Sequence, residues 1–172
     1  MKFIKSISTS IFTLLLCTAC ESDLEQVTYS SENAIPSTLS SLNDSYILES
    51  KNASQEAFTL TWSYPDLGYQ ASVINALEMD VKDKNFANKV ILASSKTDLS
   101  HTITVSDLNS KIMTLLKVYE METAPIGIEF RISSSISAAA DTLYSNIVST
   151  TITPYELSLI HISEPTRQEA IS

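Results

Sequence analysis

Two glycines in 172 residues, Gly68 and Gly127, leave this chain little freedom for tight turns. Two-residue hairpins of the primed types need positive φ at their central positions, which glycine supplies without steric cost. Few such hairpins are expected, and the connections should be longer. Cysteine is as scarce: Cys17 and Cys20 stand near the N-terminal end and none follows. That excludes a disulfide framework and a thiolate metal site from the rest of the chain. His101 is the only histidine before residue 161, and Ser–His or Cys–His catalysis and histidine metal sites need more partners than that. Positive charge is short too. Residues 21–156 hold eight Lys and Arg against eighteen Asp and Glu, with no basic patch for nucleic acid or an anionic lipid surface. With no nucleophile–base pair, metal cluster or Gly-rich loop, neither an enzyme nor a cofactor is expected.

What is present begins with an export signal. Lys2 and Lys5 precede an apolar run at 11–16 (IFTLLL), then Thr18 and Ala19, then Cys20. A charged start, a short apolar core and a small-residue cleavage point make a secretory signal over 1–19. The run is too short to cross a bilayer, which takes about 20 residues. A cysteine directly after the small residues resembles a bacterial lipoprotein lipobox. That resemblance implies a diacylglyceryl group on the Cys20 thiol and anchorage in outer-membrane lipid. Cys17 departs from the branched aliphatic residue usual there; an ordinary signal peptide or a Cys17–Cys20 disulfide is the alternative. Glu21, Asp23 and Glu25 follow at once. They resemble the acidic signal by which Bacteroidetes-type bacteria export lipoproteins to the outer face of the outer membrane; a solvated acidic linker is the alternative. Residues 20–45, rich in Ser, Asn, Thr and Glu, read as a tether.

The other end is set aside. Residues 157–167 (LSLIHISEPTR) match, residue for residue, the in-frame translation of a transposase-type sequencing-library adapter, and 168–172 fit its index and outer arm. Residues 157–172 are therefore read as an adapter-derived artefact, with the natural protein continuing past Glu156.

Between these ends, 46–156 read as one domain. Short segments alternate apolar and polar residues with a period of two: 58–64 (FTLTWSY), 77–81 (LEMDV), 90–92, 102–105, 126–132 (IGIEFRI) and 146–153, with a weaker one at 46–49. One stretch has helical spacing instead, with Leu108, Ile112, Leu115, Leu116 and Tyr119 on one face and Ser106 placed to cap it. The expectation is an all-β protein: an immunoglobulin or fibronectin-III-like antiparallel sandwich of about seven strands, with one short helix near 107–118. About 115 residues suffice for an independent core.

Three segments carry a more specific signal: the Trp62 strand running on into Tyr69-Gln70, Val105-Ser106-Asp107-Leu108-Asn109, and Ser145-Asn146-Ile147-Val148 with Thr153-Pro154-Tyr155. Together with the lipobox and acidic tether, residues 1–156 resemble the N-terminal domain of the SusE and SusF outer-membrane lipoproteins of starch-utilisation systems. The resemblance implies an immunoglobulin-like spacer domain at the cell surface beside a TonB-dependent transporter and a SusD-like lipoprotein. It also implies polysaccharide binding through modules beyond the end of this sequence. A structural or adhesive module contacting other outer-membrane proteins is the alternative.

Candidate sites within the domain are few. Trp62 shares a strand face with Phe58 and Leu60 and is expected in the core rather than as a sugar platform. Tyr64 and Tyr69 flank the turn-rich Pro65-Asp66-Leu67-Gly68 and are candidates for a glycan or partner contact. Glu78 and Asp80 share one side of a strand, their Cα atoms about 6.5–7 Å apart. A glycosidase pair needs a cleft between its carboxylates, so on an open sheet face these two are expected to be solvated. His101 is expected at the surface. Asp141-Thr142-Leu143 has the short O-glycosylation pattern seen in the same bacteria, pointing to Thr142, and Asn52-Ala53-Ser54 has the N-glycosylation spacing.

Overall fold

The computed structural model describes residues 33–137 and 140–156; the signal segment, Cys20, Glu21, Asp23, Glu25 and the 157–172 tail lie outside them. Eight strands are described: β1 (Ser45–Ile47), β2 (Glu56–Thr61), β3 (Ile74–Val81), β4 (Val90–Ser95), β5 (Ser100–Thr104), β6 (Ile126–Ser135), β7 (Leu143–Tyr144) and β8 (Val148–Thr153). A 3-10 turn, Ser50–Asn52, precedes β2, and one helix, α1 (Val105–Val118), follows β5. The strands form the expected sandwich. One sheet runs β1-β8-β6-β3-β4 with β7 beside β6, and β2 pairs with β5 in the other. Every ladder is antiparallel except β1 with β8.

Alternation along β3 and β6 builds the core. Ile128, Phe130 and Ile132 pair with Val81, Met79 and Leu77, and all six are buried. Phe58, Leu60, Trp62 and Ile103 from the second sheet complete that core. The Phe58 ring meets the Phe130 ring edge-on, with centroids 5.8 Å apart. Each such side chain, fully buried, contributes about 1.5–3 kcal/mol.

The helix starts two residues before the expected boundary, and its cap is Thr104, not Ser106. Strand β5 turns directly into α1, so Thr104 still has extended backbone (φ −81, ψ 159) and its Oγ1 accepts from Asp107 N at 3.3 Å. Leu108, Ile112, Leu115 and Leu116 then face the core. At the far end Glu120 takes the left-handed turn (φ 53) that glycine usually fills. Met121 N donates to Leu116 O at 2.8 Å and Glu120 N to Lys117 O at 3.3 Å, a Schellman closure.

Residues 35–43, within the stretch read as tether, pack on the sandwich. Isolated bridges join Ile35 to Asp66 and Leu39 to Trp62, extending the second sheet. Leu39 is buried and its backbone is held from both sides by one amide: Leu39 N donates to Asn146 Oδ1 (2.8 Å) and Asn146 Nδ2 donates to Leu39 O (3.0 Å). Ser37 Oγ lies 3.2 Å from Ser134 Oγ, which donates to Asn75 Oδ1 at 2.7 Å. The segment's polar composition hid this packing: Leu39 is its one buried large apolar residue, and Leu42 packs only partly against the core.

Candidate functional site

After β2 the chain leaves β5: Trp62 N still donates to Leu99 O, but Ser63 N turns to Thr38 O, and Pro65 has no N–H to donate. Residues 64–73 instead make a closed excursion before β3. Asp66 pairs with Ile35 through two backbone bonds of 2.7 and 2.9 Å. Its Oδ1 accepts from Gly68 N at 2.8 Å, a local turn that places Gly68 at φ 74. At the other end of the excursion the Tyr64 hydroxyl accepts from Val73 N at 3.2 Å. Pro65 and Val73 are buried beneath the loop.

This closure leaves a concave pocket of about 540 Å³ lined by Tyr64, Leu67, Tyr69, Gln70, Ser72 and neighbouring loop residues. Small-molecule sites span roughly 300–1,000 Å³ and combine apolar walls with a few polar groups. The two tyrosines singled out in the sequence therefore line one hollow, Tyr64 being 43 % exposed. Every lining residue comes from 64–73, so the pocket's shape depends on this one loop.

The other sequence candidates fall elsewhere. Trp62 is buried in the core beside Leu39, with no partner for its indole N–H among the described residues. His101 is half-buried in β5, against the expectation of a surface residue, and its Nε2 likewise lacks a partner. Thr142 is exposed just before β7. Asn52, half-buried in the 3-10 turn, donates through Nδ2 to Glu49 Oε2 at 3.1 Å.

Glu78 and Asp80 correct the sequence reading most sharply. Both lie on the outer face of β3, opposite Arg131 and Glu129 of β6, yet Glu78 is 2 % exposed and Asp80 0 %. The residues between β3 and β4 fold back over them. Asp83, Asn85 and Phe86 take positive φ (63, 53 and 57), and Phe86 is buried. Glu78 Oε1 accepts from Lys89 Nζ and from Ser133 Oγ (2.8 Å), and Oε2 accepts from Arg131 Nε (2.8 Å). The Arg131 guanidinium is itself layered between two rings, 4.0 Å from the Phe86 centroid and 3.9 Å from that of Tyr144. Burial pushes the Glu78 carboxyl pKa upward. Hydrogen bonds from Lys89, Arg131 and Ser133, with the Lys89 charge, outweigh burial and leave it below its ordinary value. Asp80 accepts from Val81 N (2.7 Å), Asn88 N (3.1 Å) and the Tyr119 hydroxyl (3.0 Å). These carboxylates face donors of their own fold. No cleft separates them for a substrate.

Two further residues work the same way and were passed over individually. Asn109, fully buried on α1, donates through Nδ2 to Tyr155 O (3.0 Å) and accepts from Tyr155 N (2.9 Å). Asn146 clamps Leu39 in the same fashion. An asparagine on the apolar face of a helix was the available signal, since a buried amide must find partners for both its donor and its acceptor. The two motif asparagines thus act as strand substitutes that close the sandwich. No protein of curated function matches the sequence. The SusE outer membrane protein family matches residues 22–132, well over half of the chain and most of the sandwich just described, and the chain belongs to that family.

Proposed function

We propose that this chain is the membrane-proximal immunoglobulin-like domain of a surface-exposed, lipid-anchored glycan-capture protein. Family membership across 22–132 carries the reading, since it associates the domain with the outer membrane and a Sus-like system. The domain acts as a spacer without catalysis. Glu78 and Asp80, its paired strand carboxylates, are both engaged by donors within the fold. Cys20 supplies the lipid anchor, and Glu21, Asp23 and Glu25 direct export to the outer face. Stable attachment takes more than one acyl chain, which a triacylated cysteine provides. The working partners are a TonB-dependent transporter and a SusD-like lipoprotein, and the main polysaccharide contact lies on modules beyond residue 156.

Affinity electrophoresis in amylopectin tests this division of labour. The present chain is expected to migrate unretarded, whereas the product of the complete reading frame is slowed by the polymer. Strong retardation of the present chain would move the sugar site into this domain. Retardation of neither would remove starch as the ligand.

A further inference from the structure

Residues 52–81 contain no Lys, Arg or His, and neither do residues 33–50, which include the Ile35 bonded to Asp66. The 64–73 hollow therefore draws no positive charge from its own walls. It does hold a negative one. Asp66 is exposed and its backbone is pinned to Ile35. Its Oδ1 accepts from Gly68 N, while Oδ2 has no hydrogen-bond or ion-pair partner among the described residues. An unmatched charge thus stands in a fixed place.

Aromatic faces supply a second, independent observation. The Tyr64 hydroxyl accepts from Val73 N at 3.2 Å and lies 3.5 Å from Ala71 O, so its ring is tied to the far end of the loop. Tyr69, half-buried, lines the same hollow. The negative face of a tyrosine ring attracts a cation within about 6 Å of its centroid. An anion would meet Asp66 with no counter-charge. A metal ion wants several oxygen ligands, and Asp66 is the only carboxylate in the lining. A neutral hydroxylated ring would use Gln70 and Ser72 but leave the Asp66 charge unanswered. Only an organic cation matches the rings and the carboxylate together.

We propose that the 64–73 hollow binds a compact organic cation, an ammonium group carrying apolar substituents. The tyrosine faces surround the charge and Asp66 Oδ2 stands opposite it. Because Asp66 is exposed, its ion pair adds little, and the rings supply most of the preference. Two sources share this chemistry, a free quaternary amine and the lysine side chain of a partner protein. The inference stands whether or not the protein serves glycan capture.

The test titrates the full chain by NMR with four probes. They are choline, its uncharged isostere with a tert-butyl group in place of trimethylammonium, Nα-acetyl-lysine methylamide, and glucose. Choline is expected to bind at least about tenfold more tightly than its isostere, with amide shifts centred on residues 64–73. Tyr69→Leu keeps apolar bulk but loses the ring, and should weaken choline about fivefold while leaving the isostere nearly unchanged. Tyr69→Phe should restore binding. Asp66→Asn, whose Oδ1 still accepts from Gly68 N, should cost about two- to fivefold and remove the salt dependence. Melting temperatures should stay nearly constant across the three variants. Tighter binding of choline than of the lysine derivative assigns the hollow to a free cation, and the reverse to a partner's lysine. Equal binding of choline and its isostere would overturn the proposal. So would glucose binding at least as tightly as choline, or no shifts at 64–73 with either cation.

Discussion

The two faces of the β3–β6 pair are buried by opposite means. On the inner face Leu77, Met79 and Val81 meet Ile132, Phe130 and Ile128, and packing alone holds them. On the outer face Glu78 and Asp80 are as inaccessible, but ion pairs, backbone donors and a layered guanidinium hold them. The inner face tolerates loss in proportion to the volume removed. The outer face is all-or-none, because each charge withdrawn from water depends on its counterpart. Equal burial therefore does not mean equal chemistry or equal sensitivity to pH.

Substitutions at three positions separate the faces. The largest effect is expected from Phe130→Ala, which removes a fully buried ring in edge contact with Phe58 and should cost about 3–5 kcal/mol by denaturant unfolding. A loss under about 1 kcal/mol would mean that the core refills the space.

Next comes Glu78→Ala, expected to cost about 3 kcal/mol because Arg131 and the partly buried Lys89 lose their shared counter-charge. Its pH signature is distinctive. The Glu78 pKa in the folded protein lies below the ordinary 4.5, so its contribution is fully present above pH 4.5 and is lost as pH falls through the folded value. Glu78→Gln should flatten that part of the acid limb, whereas Phe130→Ala should leave its shape unchanged. Parallel acid limbs for wild type and Glu78→Gln would show that the outer-face charges do not govern acid unfolding.

The smallest effect belongs to Tyr144→Ala. Tyr144 is the exposed end of the Phe86–Arg131–Tyr144 stack, and its loss should cost about 0.5–1 kcal/mol. A drop comparable to that of Glu78→Ala would show that the stack, rather than the ion pairs, holds Arg131 in place.

Legibility in the sequence followed the same division. The inner face was readable because its residues repeat every second position in 58–62 and 126–132, and that repeat has one stable outcome in a sandwich. Trp62 fell in the core for the same reason. The outer face was misread, since alternation says which side a residue occupies and nothing about what later covers that side. The cover consists of residues 82–89, and its fold depends on positive φ at Asp83, Asn85 and Phe86; Asp and Asn tolerate that conformation, but nothing in the local sequence marks Phe86 for it. Asn109 and Asn146 lay inside motifs recognised by resemblance, but their task, bonding to Tyr155 and Leu39, joins residues 46 and 107 positions apart. The pocket at Tyr64 and Tyr69 was half legible. Its turn residues announced a loop, while the closure by Val73 N on the Tyr64 hydroxyl did not.

By itself the sequence determined a β-sandwich with one helix, its apolar core and its acidity, because periodicity and composition are local properties that survive without coordinates; the family came instead from the resemblance carried by its motifs. The tertiary structure alone decided that two carboxylates are buried and engaged, that residues 35–43 join the sandwich and that β4 stands at the end of its sheet with no described strand beyond it. Each of these depends on which distant segment covers a given face, and covering is settled only when the chain closes on itself.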